Sequence, residues 1–157
     1  MKTYVLKLTQ NLPISLDEAW DFFSSPHNLA RITPPEMNFI VTSVYNGDAK
    51  MYPGMIITYK VSPVLGIPLR WMTEITHVQE GKYFVDEQRF GPYALWHHQH
   101  HFKEIPGGVE MTDLLHYAIP FGPIGRLTNA VMVGKKVRKV FEFRKKAVKD
   151  IFGVYKG

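Results

Sequence analysis

The sequence predicts an α+β domain in which a run of antiparallel strands lies between helical segments near the two ends of the chain. Between residues 38 and 118, apolar and polar side chains alternate in short segments separated by glycine, proline and asparagine. Residues 16–32 and 124–152 instead carry apolar side chains at helical spacing. Because 157 residues with 45% hydrophobic content can bury one core but not two comfortable ones, we expect residues 1–157 to form a single domain.

The elements before residue 38 are predicted to be a strand and two short helices. Residues 3–9 alternate in the manner of a strand with one buried face. Ser15 and Glu18 have the spacing of a capping box, which starts the first helix. The Ser-Pro pair at 25–26 is typical of a second helix start, and the Pro-Pro pair at 34–35 ends that brief helix.

The middle of the chain is predicted to consist of strands joined by short turns. Such links favour neighbouring strands that run antiparallel. The expected strands are residues 38–45, 55–61, 69–78, 83–90, 95–105 and 109–118.

The C-terminal segment is predicted to be one long helix. Its apolar residues recur near helical spacing from 124 to 152. Gly134 lies inside this helix and marks a position for a bend. A helix of this length needs a broad apolar surface, which a strongly curved sheet of six or seven strands would supply, and a gap between the two would form a pocket.

The predicted strand at 95–105 carries four histidines in five positions, and this is the most informative feature of the sequence. Side chains alternate between the two faces of a strand, so Trp96, His98, His100 and Phe102 share one face. Imidazoles among aromatic rings cost free energy unless they are hydrogen-bonded. This face therefore predicts an interior that holds polar partners as well as core, as a binding cavity does.

The neighbouring predicted strands bring carboxylates to the same face. Asp86 and Gln88 share a face on the preceding strand, and Asp113 and Tyr117 share one on the following strand. An Asp beside a His raises the pKa of the imidazole and fixes its tautomer, which prepares a general base but also satisfies an idle buried histidine. A structural network, ligand contact and catalysis therefore all stay open, and the candidate catalytic residues are His98, His100 and Asp113.

The charge pattern limits the classes of partner. The net charge of +5 is concentrated at 135–149, a segment that contains eight Lys and Arg residues and one acidic residue, Glu142. The segment lacks the interleaved exposed aromatic residues of a stacking platform, so we expect no nucleic-acid binding. Weak contact between this basic helix and an anionic membrane surface stays open.

The absence of cysteine excludes disulfides and thiolate chemistry, and the lack of a signal-peptide or spanning pattern predicts a cytoplasmic protein.

Several motifs together resemble those of the START-like superfamily, also called SRPBCC or Bet v 1-like, and in particular its polyketide cyclase/dehydrase-type ligand-binding branch. The motifs are F-V-D-E-Q at 84–88, G-P-Y at 91–93, W-x-H-x-H-x-F at 96–102, M-x-D at 111–113 and Y-x-x-P-x-G at 117–122. The resemblance implies a helix-grip fold, with a curved antiparallel sheet of six to seven strands wrapped on a long C-terminal helix and two short helices after the first strand. Members of this superfamily include carriers, receptors, cyclases and oxygenase domains, so the resemblance implies much less about activity.

Metal binding is a separate question, because side chains two apart on a strand face lie about 6.7 Å apart at the backbone. His98 and His100 could thus converge on one ion with Asp113 as a carboxylate ligand, whereas His97 and His101 face away. The iron-binding oxygenases of the superfamily place their ligands on helical segments that this sequence does not show. We therefore expect no metal and no cofactor.

The expected function is binding of a hydrophobic small molecule, a lipid or a polyketide-like or aromatic compound, as a carrier or sensor. The ligand would occupy a cavity between the curved sheet and the C-terminal helix. The alternative is a cyclase- or dehydratase-type enzyme that uses an Asp-tuned histidine as general base. Phe121 and Ile124 are included as the lining of the cavity mouth. The expected ligand-binding residues are Trp71, Asp86, Gln88, Trp96, His98, His100, Asp113, Tyr117, Phe121 and Ile124.

Overall fold

The computed structural model describes residues 2–44, 49–64 and 66–157. Within these residues, seven strands form one curved antiparallel sheet with the order β1-β7-β6-β5-β4-β3-β2. This sheet and the long C-terminal helix confirm the predicted α+β helix-grip fold. The strands are β1 (Tyr4–Leu12), β2 (Ile40–Val41), β3 (Met55–Val64), β4 (Ile67–Gln79), β5 (Tyr83–Phe90), β6 (Leu95–Ile105) and β7 (Gly108–Ala118).

Two short helices follow β1, as predicted. Helix α1 (Leu16–Phe23) begins with a capping box, in which the Ser15 hydroxyl accepts from the Glu18 backbone N–H at 3.2 Å and the Glu18 carboxylate accepts from the Ser15 backbone N–H at 2.9 Å. The second is a 3₁₀ helix over Pro26–Ile32, with Pro26 at its first position. Both lie at the edge of the space that the sheet and the C-terminal helix enclose.

The strand predicted over residues 38–45 is much shorter in the structure, where only Ile40–Val41 pairs with β3. The second half of the Pro-Pro pair starts a further 3₁₀ turn over Pro35–Met37, and Asn38 leaves it in the left-handed conformation with φ 45°. Because Asn38 is left-handed rather than extended, it does not form the first residue of the predicted strand. Residue 45 lies outside the described residues.

The C-terminal helix is divided into three parts. Helix α2 (Gly122–Thr128) continues through a π-helical segment (Asn129–Val133) into α3 (Gly134–Phe152), so the irregularity lies just before the glycine that the sequence marked for a bend. Val137, Phe141 and Val148 form the buried side of α3. None of the described helices has both the length and the apolar composition to cross a bilayer.

The core consists of three groups of buried side chains that meet around a central space. The first packs α1 against β5, β6 and β7 and includes Trp20, Phe84 and Phe102. The second covers β3 and β4 around Ile57. The third joins β7 to α3 around Phe141. Each group contributes side chains to the wall of one cavity, which locates the candidate site between the sheet and α3.

Candidate functional site

A cavity of about 340 Å³ lies between the sheet, the 3₁₀ segments and α3. Its wall is mainly aromatic and aliphatic, and its volume falls within the range typical of small-molecule pockets. Glu36 and Lys139 are exposed members of the lining, and the ion pair between Lys139 Nζ and Glu36 Oε1, 3.9 Å apart, joins the Pro35–Met37 turn to α3. The aromatic part of the wall is formed by Phe22, Phe23, Phe39, Tyr59, Trp71, Phe84, Tyr93, Trp96 and Phe141.

A group of two aspartates and two histidines forms the polar part of this interior, and we call Asp86, His98, His100 and Asp113 the Asp–His cluster. The strand register explains why they meet, because Asp86 on β5 is paired with His98 on β6 and His100 is paired with Asp113 on β7. All four side chains point to the same face of the sheet. The side-chain alternation that the sequence predicted for this face is therefore what assembles the cluster.

The closest contacts in the cluster run diagonally across the strands. His98 Nε2 lies 2.9 Å from Asp113 Oδ1 and His100 Nε2 lies 2.7 Å from Asp86 Oδ2, both with hydrogen-bond geometry. The remaining ring nitrogens are also close to carboxylates, with His98 Nδ1 3.3 Å from Asp86 Oδ2 and His100 Nδ1 3.0 Å from Asp113 Oδ1. Of these two, His100 Nδ1 has no aligned hydrogen-bond partner among the described residues. Each imidazole thus lies between both carboxylates.

The surrounding packing holds the two imidazoles in place. The ring of His100 stacks on Phe84 with centroids 4.2 Å apart, and the ring of His98 meets Phe141 edge-on at 5.2 Å. The two imidazole centroids are 3.8 Å apart. His98 and His100 expose only 2% and 6% of their surface, so neither ring can turn without displacing its aromatic neighbours.

The charges in the cluster stabilise one another against burial. Burial alone would raise the pKa of Asp86, but His98 and His100 outweigh it and hold the pKa of this carboxyl well below its usual range. The pKa of Asp113 is likewise lowered against burial, by the two histidines and by Arg144. Burial would lower the pKa of His98, but Asp86 and Asp113 raise it above its usual value. The carboxylates are therefore ionised at neutral pH, and the protonated form of His98 is favoured.

Arg144 on α3 is a site residue that the sequence analysis did not identify. It lines the cavity, its side chain is 11% exposed, and Nη1 lies 3.7 Å from Asp113 Oδ1. The guanidinium lies 5.2 Å from the centre of the Phe141 ring, and its Nε is buried without a hydrogen-bond partner among the described residues. A buried cationic donor in this position is suited to an oxygen atom of a bound molecule.

The structure brings five of the expected ligand-binding residues into the cavity wall, namely Trp71, Asp86, Trp96, His98 and His100. Asp113 contacts both imidazoles but is not part of that wall. Gln88 is used to hold the turn before β6, because its amide donates to the Tyr93 carbonyl at 2.7 Å and accepts from the Tyr93 backbone N–H at 3.1 Å. Tyr117 packs on Tyr4, with ring centroids 5.4 Å apart, outside the wall.

Phe121 and Ile124, which the sequence analysis assigned to the cavity mouth, lie elsewhere. Phe121 adopts a left-handed conformation with φ 70° and turns the chain into α2. Both side chains point to solvent, with exposed fractions of 80% and 72%, and neither is part of the cavity wall.

The other histidines of β6 lie on the opposite face of the sheet, as the alternation predicts. His97 Nδ1 lies 2.8 Å from Glu87 Oε1, and His101 Nε2 lies 2.8 Å from Gln99 Oε1. The ring of His116 on β7 is 6.3 Å from that of His97. We call His97, His101 and His116 the outer histidines.

One group of side chains in the described part of the chain has a geometry that could hold a metal ion. Asp86, His98 and His100 each offer a ligand atom, and these atoms lie within 4.8 Å of one another. The carboxylate in this group is Asp86, whereas the sequence analysis considered Asp113 for that position. Asp113 instead lies on the far side of both imidazoles, at 2.9 Å and 3.0 Å.

Comparison with known proteins identifies the fold. No family model and no curated protein matches the chain. Protein CV1439 from Chromobacterium violaceum is similar in structure, with a TM-score of 0.71 and 12% identity over 96% of this chain and 98% of that one. The major latex-like protein 151 from Panax ginseng gives a TM-score of 0.68 and 13% identity over 96% and 97%. Protein Ms6760 from Mycobacterium smegmatis gives a TM-score of 0.64 and 18% identity over 94% and 92%. These similarities confirm that the fold is Bet v 1-like, as the sequence motifs suggested.

Proposed function

We propose that the protein binds a hydrophobic small molecule with one polar end, as a carrier or sensor. The observation that carries this proposal is the cavity itself, an apolar space of about 340 Å³ whose wall includes the polar groups Asp86, His98, His100 and Arg144. Solved structures of the same fold cover nearly the whole chain, which is consistent with a ligand-binding architecture.

The two parts of the wall have different roles in this proposal. Transfer of apolar ligand surface from water to the aromatic wall supplies affinity at roughly 25 cal/mol per Å². Arg144 supplies orientation, because its buried Nε has no partner among the described residues and a ligand oxygen would satisfy it. A lipid, polyketide-like or aromatic molecule with a terminal carboxylate, enolate or carbonyl fits both requirements.

The geometry gives less support to the alternative of a histidine general base. A general base needs a ring nitrogen whose lone pair can reach the ligand. All four ring nitrogens of His98 and His100 instead lie within 3.3 Å of a carboxylate oxygen of Asp86 or Asp113. The cluster therefore lacks the free ring nitrogen that a general base requires.

Filling the cavity is expected to weaken ligand binding. Val140 on α3 is half-buried and lines the cavity, so Val140→Trp would place an indole in the space that a ligand needs. Titration with 8-anilinonaphthalene-1-sulfonate, an aromatic anion, should give one site per wild-type chain. We expect the dissociation constant of the variant to rise at least about tenfold, which corresponds to a loss of about 1.4 kcal/mol.

Glu142→Trp is the matched control for this experiment, because residue 142 is exposed on the same helix and does not line the cavity. It adds the same ring at the surface and should leave the dissociation constant unchanged. Equal fluorescence titrations for the two variants would show that the dye binds elsewhere and would remove the support for a ligand cavity.

We further propose that the surface around α2 contacts anionic membranes, from which a hydrophobic ligand would be collected. Phe121, Ile124, Leu127 and Val131 recur along this helical segment and are 80%, 72%, 67% and 64% exposed. Basic residues lie beside and after them, at Arg126 and within 135–139. Exposed apolar side chains flanked by cations are suited to the interface of an anionic bilayer, and the rest of the described surface shows no comparable run.

An acidic substitution in this surface is expected to weaken vesicle binding. Sedimentation with vesicles of phosphatidylglycerol and phosphatidylcholine should retain the wild-type protein at low salt and release it as salt is added. Ile124→Asp should lower the bound fraction severalfold, because it removes an apolar contact and adds a negative charge. Val154→Asp makes the same change at a 54% exposed position outside this surface and is the control. Equal binding by both variants would contradict the proposal.

A further inference from the structure

We propose that Asp86, His98 and His100 form a binding site for one divalent first-row transition metal ion, with an open coordination position that faces the cavity. All three residues line the cavity, and each offers a ligand atom within 4.8 Å of the others. Two imidazoles and one carboxylate are a ligand set that such ions accept. Metal binding by these three residues does not depend on the hydrophobic ligand proposed above. The identity of the atom that fills the open coordination position does rest on that proposal.

The distances between the ligand atoms are close to those of a coordinated set. Asp86 Oδ2 lies 3.3 Å from His98 Nδ1 and 2.7 Å from His100 Nε2. Bonds of about 2.1 Å in a tetrahedral site separate the ligand atoms by about 3.4 Å. To admit an ion, Asp86 Oδ2 must move from 2.7 Å to about 3.4 Å from His100 Nε2, a shift of about 0.7 Å. The Asp86 side chain is less buried than the imidazoles, with 17% exposed.

Asp113 has the position of a carboxylate that orients metal-bound histidines. Its Oδ1 lies 2.9 Å from His98 Nε2 and 3.0 Å from His100 Nδ1, which are the nitrogens directed away from Asp86. Histidine ligands commonly give their second N–H to such a carboxylate, which fixes the tautomer and the ring orientation. Asp113 lies beside the second nitrogen of both rings here and is hydrogen-bonded to that of His98, so His98 Nδ1 and His100 Nε2 are left to face the ion.

Hydrogen bonds within the Asp–His cluster leave one of its buried ring nitrogens without a partner. Although all four ring nitrogens lie close to a carboxylate oxygen, His100 Nδ1 is buried without a hydrogen-bond partner among the described residues. A metal ion between Asp86 and the two rings would bond to Asp86 Oδ2 and to the two ring nitrogens, His98 Nδ1 and His100 Nε2, that now share this oxygen. Movement of His100 toward that ion would also allow its Nδ1–H to align with Asp113.

The formal charge of the occupied site indicates the remaining donor. Two carboxylates, Arg144 and a divalent ion with neutral imidazoles sum to one positive charge. An anionic oxygen in the open position would neutralise it. Hydroxide could supply this oxygen, and so could the carboxylate or enolate of a cavity ligand, whose oxygen would also be near the guanidinium of Arg144. The cluster thus provides three protein ligands and one open position, the arrangement of catalytic zinc sites.

The test is a titration of chelator-treated protein with Co²⁺, followed by its visible absorption and by elemental analysis after desalting. The outer histidines are the main competing site, so the decisive protein is the variant His97→Gln/His101→Gln/His116→Gln. We expect this variant and the wild-type protein each to retain one Co²⁺ per chain with the same spectrum. Asp86→Asn should bind at least about tenfold more weakly, and Asp113→Asn about 10- to 100-fold more weakly, because the latter loosens both ligands.

The same measurements can overturn the proposal. Loss of Co²⁺ from the outer-histidine variant would assign the metal to the outer face, and an unchanged affinity in a folded Asp86→Asn would exclude the cluster. If circular dichroism shows that Asp86→Asn does not fold, the stoichiometry of the outer-histidine variant decides alone, with one ion supporting the site and none rejecting it. Binding of 8-anilinonaphthalene-1-sulfonate to the chelated protein tests the ligand cavity separately, so failure of one proposal can be told from failure of the other.

Discussion

Asp113→Ala is expected to lower the free energy of unfolding by about 3–5 kcal/mol, the cost of removing one partner from a buried ionic network. Asp113 is 5% exposed and its Oδ1 contacts His98, His100 and Arg144. Without this carboxylate, the cations and polar nitrogens around it remain buried with Asp86 as their one remaining acidic neighbour in the cluster. Urea unfolding followed by circular dichroism, in the presence of a chelator, measures the difference without a contribution from bound metal.

Thr112→Ala provides the matched control for this measurement. Thr112 precedes Asp113 on β7 and faces the other side of the sheet, where its hydroxyl lies 3.0 Å from that of Thr9 in an exposed pair. Loss of such a contact costs about 0.5–1.5 kcal/mol. If Asp113→Ala is no more destabilising than this control, the cluster is not a compensated ionic network and the account of its charges given above is wrong.

Much of the candidate site follows from strand alternation, which depends on the local sequence. The row from Trp96 to Phe102 could be assigned to one face because side chains alternate on any strand, and the burial of His98 and His100 agrees with that assignment. The motif at 84–88 and Asp113 lie on the adjacent strands because short turns join them. Strand alternation does not determine which diagonal neighbour each histidine hydrogen-bonds to. That depends on the side-chain rotamers, which are set by packing against residues such as Phe84 and Phe141.

The features that the sequence analysis missed depend on tertiary placement. Arg144 is one of the eight cations at 135–149, yet it follows Phe141 by three residues and precedes Val148 by four, so it shares their buried side of α3. That spacing was the signal that could have identified it. Phe121 and Ile124 carry no comparable signal, because the left-handed turn at Phe121 that directs them into solvent is unusual for a residue other than glycine. The second strand is shortened to Ile40–Val41 and follows an additional 3₁₀ turn, where the Pro-Pro pair predicted only a helix end.

Trp20→Ala is the second substitution expected to have a large effect, with a loss of about 3–5 kcal/mol in the free energy of unfolding. Trp20 is 7% exposed and meets the rings of Phe84 and Phe102 edge-on, with centroids 6.1 Å and 5.7 Å apart. Its removal leaves a void between α1 and the sheet that rigid aromatic neighbours cannot fill, and it removes two aromatic pairs worth about 0.5–1.5 kcal/mol each. Urea unfolding monitored by far-ultraviolet circular dichroism avoids dependence on the tryptophan signal that the substitution deletes.

Asp17→Ala is the control on the same helix, because Asp17 is exposed in the first turn and its removal should cost no more than about 1 kcal/mol through the helix dipole. Trp20 does not line the cavity, so the folded fraction of Trp20→Ala should bind 8-anilinonaphthalene-1-sulfonate with the wild-type dissociation constant. A loss of stability close to that of Asp17→Ala would mean that α1 is not part of the cooperative core. In that case the pairing of Trp20 with Phe84 and Phe102 would contribute little to stability, and α1 could open independently of the sheet that holds the Asp–His cluster.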